Sequence, residues 1–131
     1  MKDSLASGLT MKRDIRIDKQ RTIDFMGDDL RVYATPSIVA DMEYACRDLA
    51  LEHLDDNEDT VGTRVEIDHI GASLLDTTVN LLAKITGVEG RQINFEFFVE
   101  ENGETIAHGI HQRFVVDMSR MKTKLAMKRS S

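Results

Sequence analysis

A chain of 131 residues and 14.8 kDa has the length of one ordinary domain, which excludes a second full one. At 41% hydrophobic and 31% charged it carries enough apolar surface to offset chain entropy, which excludes a disordered chain. The net charge of −6 and pI near 5.2 argue against nucleic-acid backbones and anionic membranes as partners, because both recruit clustered Lys and Arg.

The lone cysteine, Cys46, has no internal disulfide partner, and no Cys/His group has the spacing of a zinc site, so no metal is expected and a reducing compartment fits. Met1 to Gly8 lack the apolar run of a signal peptide, and no run approaches the roughly 18 residues of a membrane span. The chain is therefore expected to be cytoplasmic.

In chain order, Met11, Ile15 and Ile17 share one parity, with polar Lys12, Asp14 and Arg16 between them, which predicts a strand over Leu9–Ile17. Asp18 to Tyr33 is polar and irregular, with a turn at Gly27-Asp28-Asp29, and reads as a loop over a pocket or as a short surface helix. Thr35-Pro36 signals a helix start, with Thr35 as the cap and Pro36 in the first turn. The stripe Ile38, Val39, Met42, Ala45, Cys46, Leu49 and Ala50 carries that helix to about Leu54, before the acidic run Asp55 to Asp59.

Four strands follow, over Val61–Ile70, Thr77–Thr86, Arg91–Val99 and Glu104–Val116. Asn102-Gly103 is a strong hairpin signal, because both residues tolerate positive φ, and Gly109 predicts a bulge in the last strand. The tail, residues 118–131, is basic with no acidic residue and reads as a frayed terminus or as a contact to a ligand phosphate. The sum is an α+β domain over residues 1–131, an antiparallel five- to six-stranded sheet wrapped around one long helix. One helix leaves part of such a sheet uncovered, so a homodimer is expected. The element order resembles that of the hotdog fold.

Glu43 falls at the border of the helix's apolar arc, where a partly desolvated carboxylate suits a general base or nucleophile. The plainer reading is an edge Glu that reaches water or pairs with Arg47 four residues on. His69 shares parity with Val65 and Ile67 and so faces the helix, either as a hydrogen-bonded core residue or as a catalytic group able to meet Glu43. Cys46 sits in the apolar stripe and reads as packing. His53, His108 and His111 offer no ligand spacing with a third partner, and a metal site is not expected.

Tyr33-Ala34-Thr35-Pro36, Met42-Glu43, the run Thr60-Val61-Gly62-Thr63-Arg64-Val65-Glu66 leading into Asp68-His69-Ile70, and His111-Gln112-Arg113-Phe114-Val115-Val116-Asp117 together resemble the fluoroacetyl-CoA thioesterase-like family of hotdog-fold acyl-CoA thioesterases. The similarity runs from about Gly8 to Leu125, and the spacings of eight residues from Thr35 to Glu43, 26 to His69 and 44 to Arg113 are its specific part. The resemblance implies that Thr35, Glu43 and His69 are catalytic, and that Gly62 and Arg113 line the acyl and CoA site. It implies a small acyl-CoA as substrate and no cofactor, CoA being part of the substrate. Thioester hydrolysis needs a carboxylate base or nucleophile, a polarising donor and a group that manages protons, roles that fall to Glu43, to Thr35 with Gly62, and to His69.

Arg113 is expected to hold a ligand oxygen or phosphate, or else to face solvent from its strand. The family's apolar, phenylalanine-bearing lid has as its counterpart here Phe25 followed by Gly27-Asp28-Asp29-Leu30, a more polar stretch that favours a general short-chain thioesterase. The alternative function is a non-catalytic acyl-CoA or small-molecule binding module on the same fold.

Overall fold

In the computed structural model, which describes residues 1–131, the chain forms β1 (Thr10–Arg16), two single 3-10 turns at Lys19–Arg21 and Asp28–Leu30, and then helix α1 (Thr35–Leu51). Strands β2 (Glu58–His69), β3 (Thr78–Glu89), β4 (Gln92–Glu101) and β5 (Glu104–Asp117) follow, with helix α2 (Met118–Arg129) at the end. The five strands make one antiparallel sheet in the order β1-β3-β4-β5-β2, curved around α1.

Alternation in β3 and β4 builds the floor of the core. Leu81, Ala83 and Ile85 lie opposite Val99, Phe97 and Phe95, and all six are buried. Ile38, Met42, Ala45, Cys46, Leu49 and Ala50 of α1 close over them at helical spacing. Truncating Phe95 or Phe97 to Ala would cost about 3–5 kcal/mol through lost burial and the cavity left behind. Asn102 and Gly103 adopt φ of 50° and 80° and turn β4 into β5 as their sequence predicts.

Several expectations are corrected. The four strands after α1 do not lie in the sheet in chain order: β2 pairs with β5 at the far side of the sheet, so residues 70–77 cross over to reach β3 beside β1. No bulge lies at Gly109, where the pairing is continuous on both sides. Glycine is required there by close approach, since a Cβ would sit 1.9 Å from the Glu66 carbonyl oxygen. The register shifts lie elsewhere: in β2 between Gly62 and Arg64, in β3 between Ile85 and Gly87, and in β5 at Ile106, opposite Val99 and Glu100. The basic tail is not frayed: Asp117 caps α2 by accepting from Arg120 N at 3.0 Å. No helix is long and apolar enough to cross a membrane.

Candidate active site

Strands β5 and β2 carry most of the site, and their pairing decides which residues share a face. Gly62 lies opposite Arg113, Val65 opposite His111, Ile67 opposite Gly109 and His69 opposite Ala107, so all these residues look toward α1. The two-residue period would put Gly62 and Val65 on opposite faces. Thr63 is the extra residue that brings them to the same one.

Glu43 reaches across from α1 to this face. Its Oε2 accepts from Arg113 Nη1 at 3.1 Å, and a Cβ on Gly62 would lie 2.6 Å from that oxygen, so the absent side chain makes the space the carboxylate fills. The side chain of Glu43 is 40% exposed and opens on a groove of about 280 Å³ shared with Ala40, Tyr44, Arg47 and Arg113. It is therefore paired and half-open, not the desolvated carboxylate that its helix position suggests. Arg47, the alternative partner, binds both oxygens of Asp59 instead, at 3.0 and 2.7 Å.

Arg113 departs from the solvent-facing reading of it. Its side chain is 6% exposed, so it does not face solvent, and four of its five N–H donors are engaged inside the protein, although it also lines the groove at Glu43. Nε donates to Thr60 Oγ1 at 2.7 Å, Nη2 to the Thr60 carbonyl at 3.0 Å, and Nη1 to Glu43 and to His111 Nε2, both at 3.1 Å. His111 and Thr60 are the members of this group that sequence reasoning missed. The available signal was spacing: His111, Arg113 and Val115 are two apart on one strand and so share a face.

Thr35 also departs from its expected part. The helix begins at Thr35, and Ala34 is its cap residue, with a carbonyl that accepts from Ser37 N and Ile38 N at 3.0 Å each. No side chain caps this end. The Thr35 hydroxyl meets His69 Nδ1 at 2.7 Å instead. Cys46 is packing, as expected, and burial pushes its thiol up to about 12.

The Thr35–His69 pair and the Glu43–Arg113 pair are separate within one chain. Eight residues of helix span about 12 Å, and Gly62 and His69 stand seven residues apart on β2, on the order of 20 Å. Glu43 and His69, which the sequence allows to meet, therefore do not meet in a single copy.

The loop before α1 is tied down at its base. Arg21 grips both oxygens of Asp41 at 2.9 and 3.0 Å, and the buried Tyr33 hydroxyl donates to Asp41 at 2.5 Å. Burial and the Asp41 carboxylate push the Tyr33 phenol up from its ordinary value. Asp28 turns back onto Arg31, which leaves Phe25, Met26 and Leu30 as the exposed apolar side chains of the tip.

The chain is similar to proteins already characterised. Residues 17–119 match the family model described as "FlK: Fluoroacetyl-CoA-specific thioesterase". The fluoroacetyl-CoA thioesterase of Streptantibioticus cattleyicolor is 25% identical over 135 residues, covering 98% of this chain and 97% of that protein. A solved mutant of the fluoroacetyl-CoA-specific thioesterase FlK matches with a TM-score of 0.87 at 25% identity, over 97% of this chain and 99% of that one. A thioesterase superfamily member from Thermus thermophilus matches with a TM-score of 0.89 at 21% identity, over 98% and 96% of the two chains. The five-stranded sheet and long helix are thus the hotdog arrangement of these structures.

Proposed function

The chain belongs to the fluoroacetyl-CoA-specific thioesterase family, and from that premise we propose that it hydrolyses a small acyl-CoA to the free acid and CoA in a site completed by a second copy of the chain. Glu43 is the general base. Its Oε2 is held by Arg113, and the carboxylate opens on the groove, placed to take a proton from water. The water oxygen attacks the thioester carbonyl carbon, with Thr35 and the Gly62 backbone polarising the carbonyl oxygen. The carbon–sulfur bond then breaks, and His69 gives the leaving thiolate its proton. The reaction needs no metal or cofactor, since CoA arrives as part of the substrate. A cytoplasmic location fits the lone, buried Cys46.

The separation of Glu43 from His69 supports a homodimer. Strand β2 is a free edge of the sheet and is exposed from Val61 to Glu66. An antiparallel pairing of two β2 edges about their midpoint near Val65 and Glu66 sets Gly62 beside the partner's His69, which unites base and proton donor.

The half-open, Arg113-held Glu43 carries this reading. Release of CoA from acetyl-, propionyl-, butyryl- and fluoroacetyl-CoA, followed with a thiol reagent, tests it. Turnover of at least one is expected; binding of all four without release would support the binding module. Phe25 is 78% exposed and so packs over no acyl pocket in this chain. Fluoroacetyl-CoA and acetyl-CoA are accordingly expected to differ in kcat/KM by no more than about 200-fold, the range that near-isosteres allow without a dedicated gate.

A further inference from the structure

His111 is fully buried on the inner face of β5, and nothing in the reaction as described uses it. Its surroundings fix its protons. Nδ1 lies 2.7 Å from the Arg64 carbonyl oxygen, which only accepts, so Nδ1 carries the hydrogen. Nε2 lies 3.1 Å from Arg113 Nη1, which only donates, so Nε2 is bare and accepts. The ring is stacked on Phe95, with centroids 6.0 Å apart and planes at 30°.

Arg113 Nη1 has two hydrogens. One goes to Glu43 Oε2 and the other to His111 Nε2, so a single nitrogen joins the two side chains. The β2 bulge serves both ends of this chain of contacts: Gly62 leaves room for the Glu43 carboxylate, and Arg64, just past the bulge, turns its carbonyl to His111. Burial and the Arg113 charge hold the imidazole below the usual histidine range, against the opposing pull of the Arg64 carbonyl and Glu43.

We propose that His111 is a positioning residue for thioester hydrolysis: through Arg113 it fixes the direction in which Glu43 faces the attacking water. This rests on Glu43 as the base assigned above. Without an acceptor at Nε2, the second Nη1 hydrogen is buried and unpaired, and the guanidinium is free to tilt away from Glu43. An error of about 1 Å in such a group costs on the order of 10²-fold in rate.

Two substitutions separate this role from packing. His111→Gln keeps an acceptor near the Nε2 position, whereas His111→Asn keeps a donor near Nδ1 and leaves Arg113 unserved. His111→Asn is expected to lower kcat by about 10²-fold with KM changed less than about threefold, and His111→Gln to restore kcat to within about tenfold of wild type. Folding of both is checked by thermal melts. Equal kcat for the two folded variants would overturn the proposal.

A second measurement needs no turnover, and its first part needs no variant of His111. NMR of labelled histidine in the wild-type protein should show His111 with hydrogen on Nδ1 and a bare Nε2, and the reverse tautomer would overturn the proposal outright. The labelled Glu43 carboxyl signal, assigned by its loss in Glu43→Gln, should move in His111→Asn and stay in His111→Gln. If wild type released no CoA, the thioesterase reading would fail, while these signals would still decide whether His111 governs Glu43.

Discussion

Gly62 and Glu43 compete for one volume: a Cβ added to Gly62 would stand 2.6 Å from Glu43 Oε2 and 3.2 Å from His111 Cε1. The contested atom on Glu43 is the end of a flexible, half-exposed side chain, so Gly62→Ala is relieved by swinging the carboxylate into the groove. Stability should then fall by about 1–3 kcal/mol, because the swing leaves a buried Arg113 hydrogen unpaired, while kcat/KM falls at least about tenfold as the base leaves its place. Urea titration beside steady-state kinetics checks the two effects separately, and an unchanged kcat/KM would mean that Glu43 acts from some other position.

The Thr35 hydroxyl serves His69 and not the helix end. Removing a true capping hydroxyl costs about 0.5–2 kcal/mol of stability. Thr35→Ala should therefore leave the melting temperature within about 2 °C of wild type, because no cap is lost, yet reduce kcat. A large drop in melting temperature would return Thr35 to the capping role.

A site shared between copies has a signature in mixtures. Glu43→Gln and His69→Ala should each be nearly inactive alone, losing at least about 10²-fold in kcat. Co-refolding them in equal amounts should restore about a quarter of wild-type activity, because half the dimers are mixed and each mixed dimer has one intact site. No recovery would place the whole site within one chain, and light scattering that gave a mass near the 14.8 kDa of one chain would remove the dimer altogether.

Acid should weaken the fold before its carboxylates titrate. The folded His111 ring is held below the ordinary histidine pKa, whereas the unfolded ring takes a proton near about 6.5. This contribution to stability is complete above that value and is lost as pH falls from it through the folded pKa. The slope reaches at most about 1.4 kcal/mol per pH unit for one proton. Urea midpoints between pH 7.5 and pH 5 should decline in wild type and be flatter in His111→Gln; parallel declines would assign the effect to another group.

Legibility followed the kind of information each residue carries. Alternation in β3 and β4 and the Asn102-Gly103 turn were plain, because parity and turn chemistry are local properties of the chain. Sheet order was not: parity tells which way Val65 and His69 face but not that their strand lies beside β5 and not β3. Thr35, Glu43 and His69 stand out in the sequence as catalytic candidates, but their division into two groups, Thr35 with His69 and Glu43 with Arg113, depends on distances along α1 and β2 that no motif spacing encodes. The burial of Arg113 was not legible because a strand arginine is ordinarily exposed, and that burial follows from four acceptors: the Thr60 hydroxyl and carbonyl, Glu43 and His111.

The extra residue in β2 also makes the length of this segment more restrictive than its composition. Thr63 is exposed, and its side chain bonds only to the Gln112 carbonyl, so many residue types fit there. Its removal is another matter. A strand one residue shorter would regain simple alternation, turning Val65, Ile67 and His69 to the outer face and carrying His69 away from Thr35. Variation at this position is therefore open to substitution and closed to deletion.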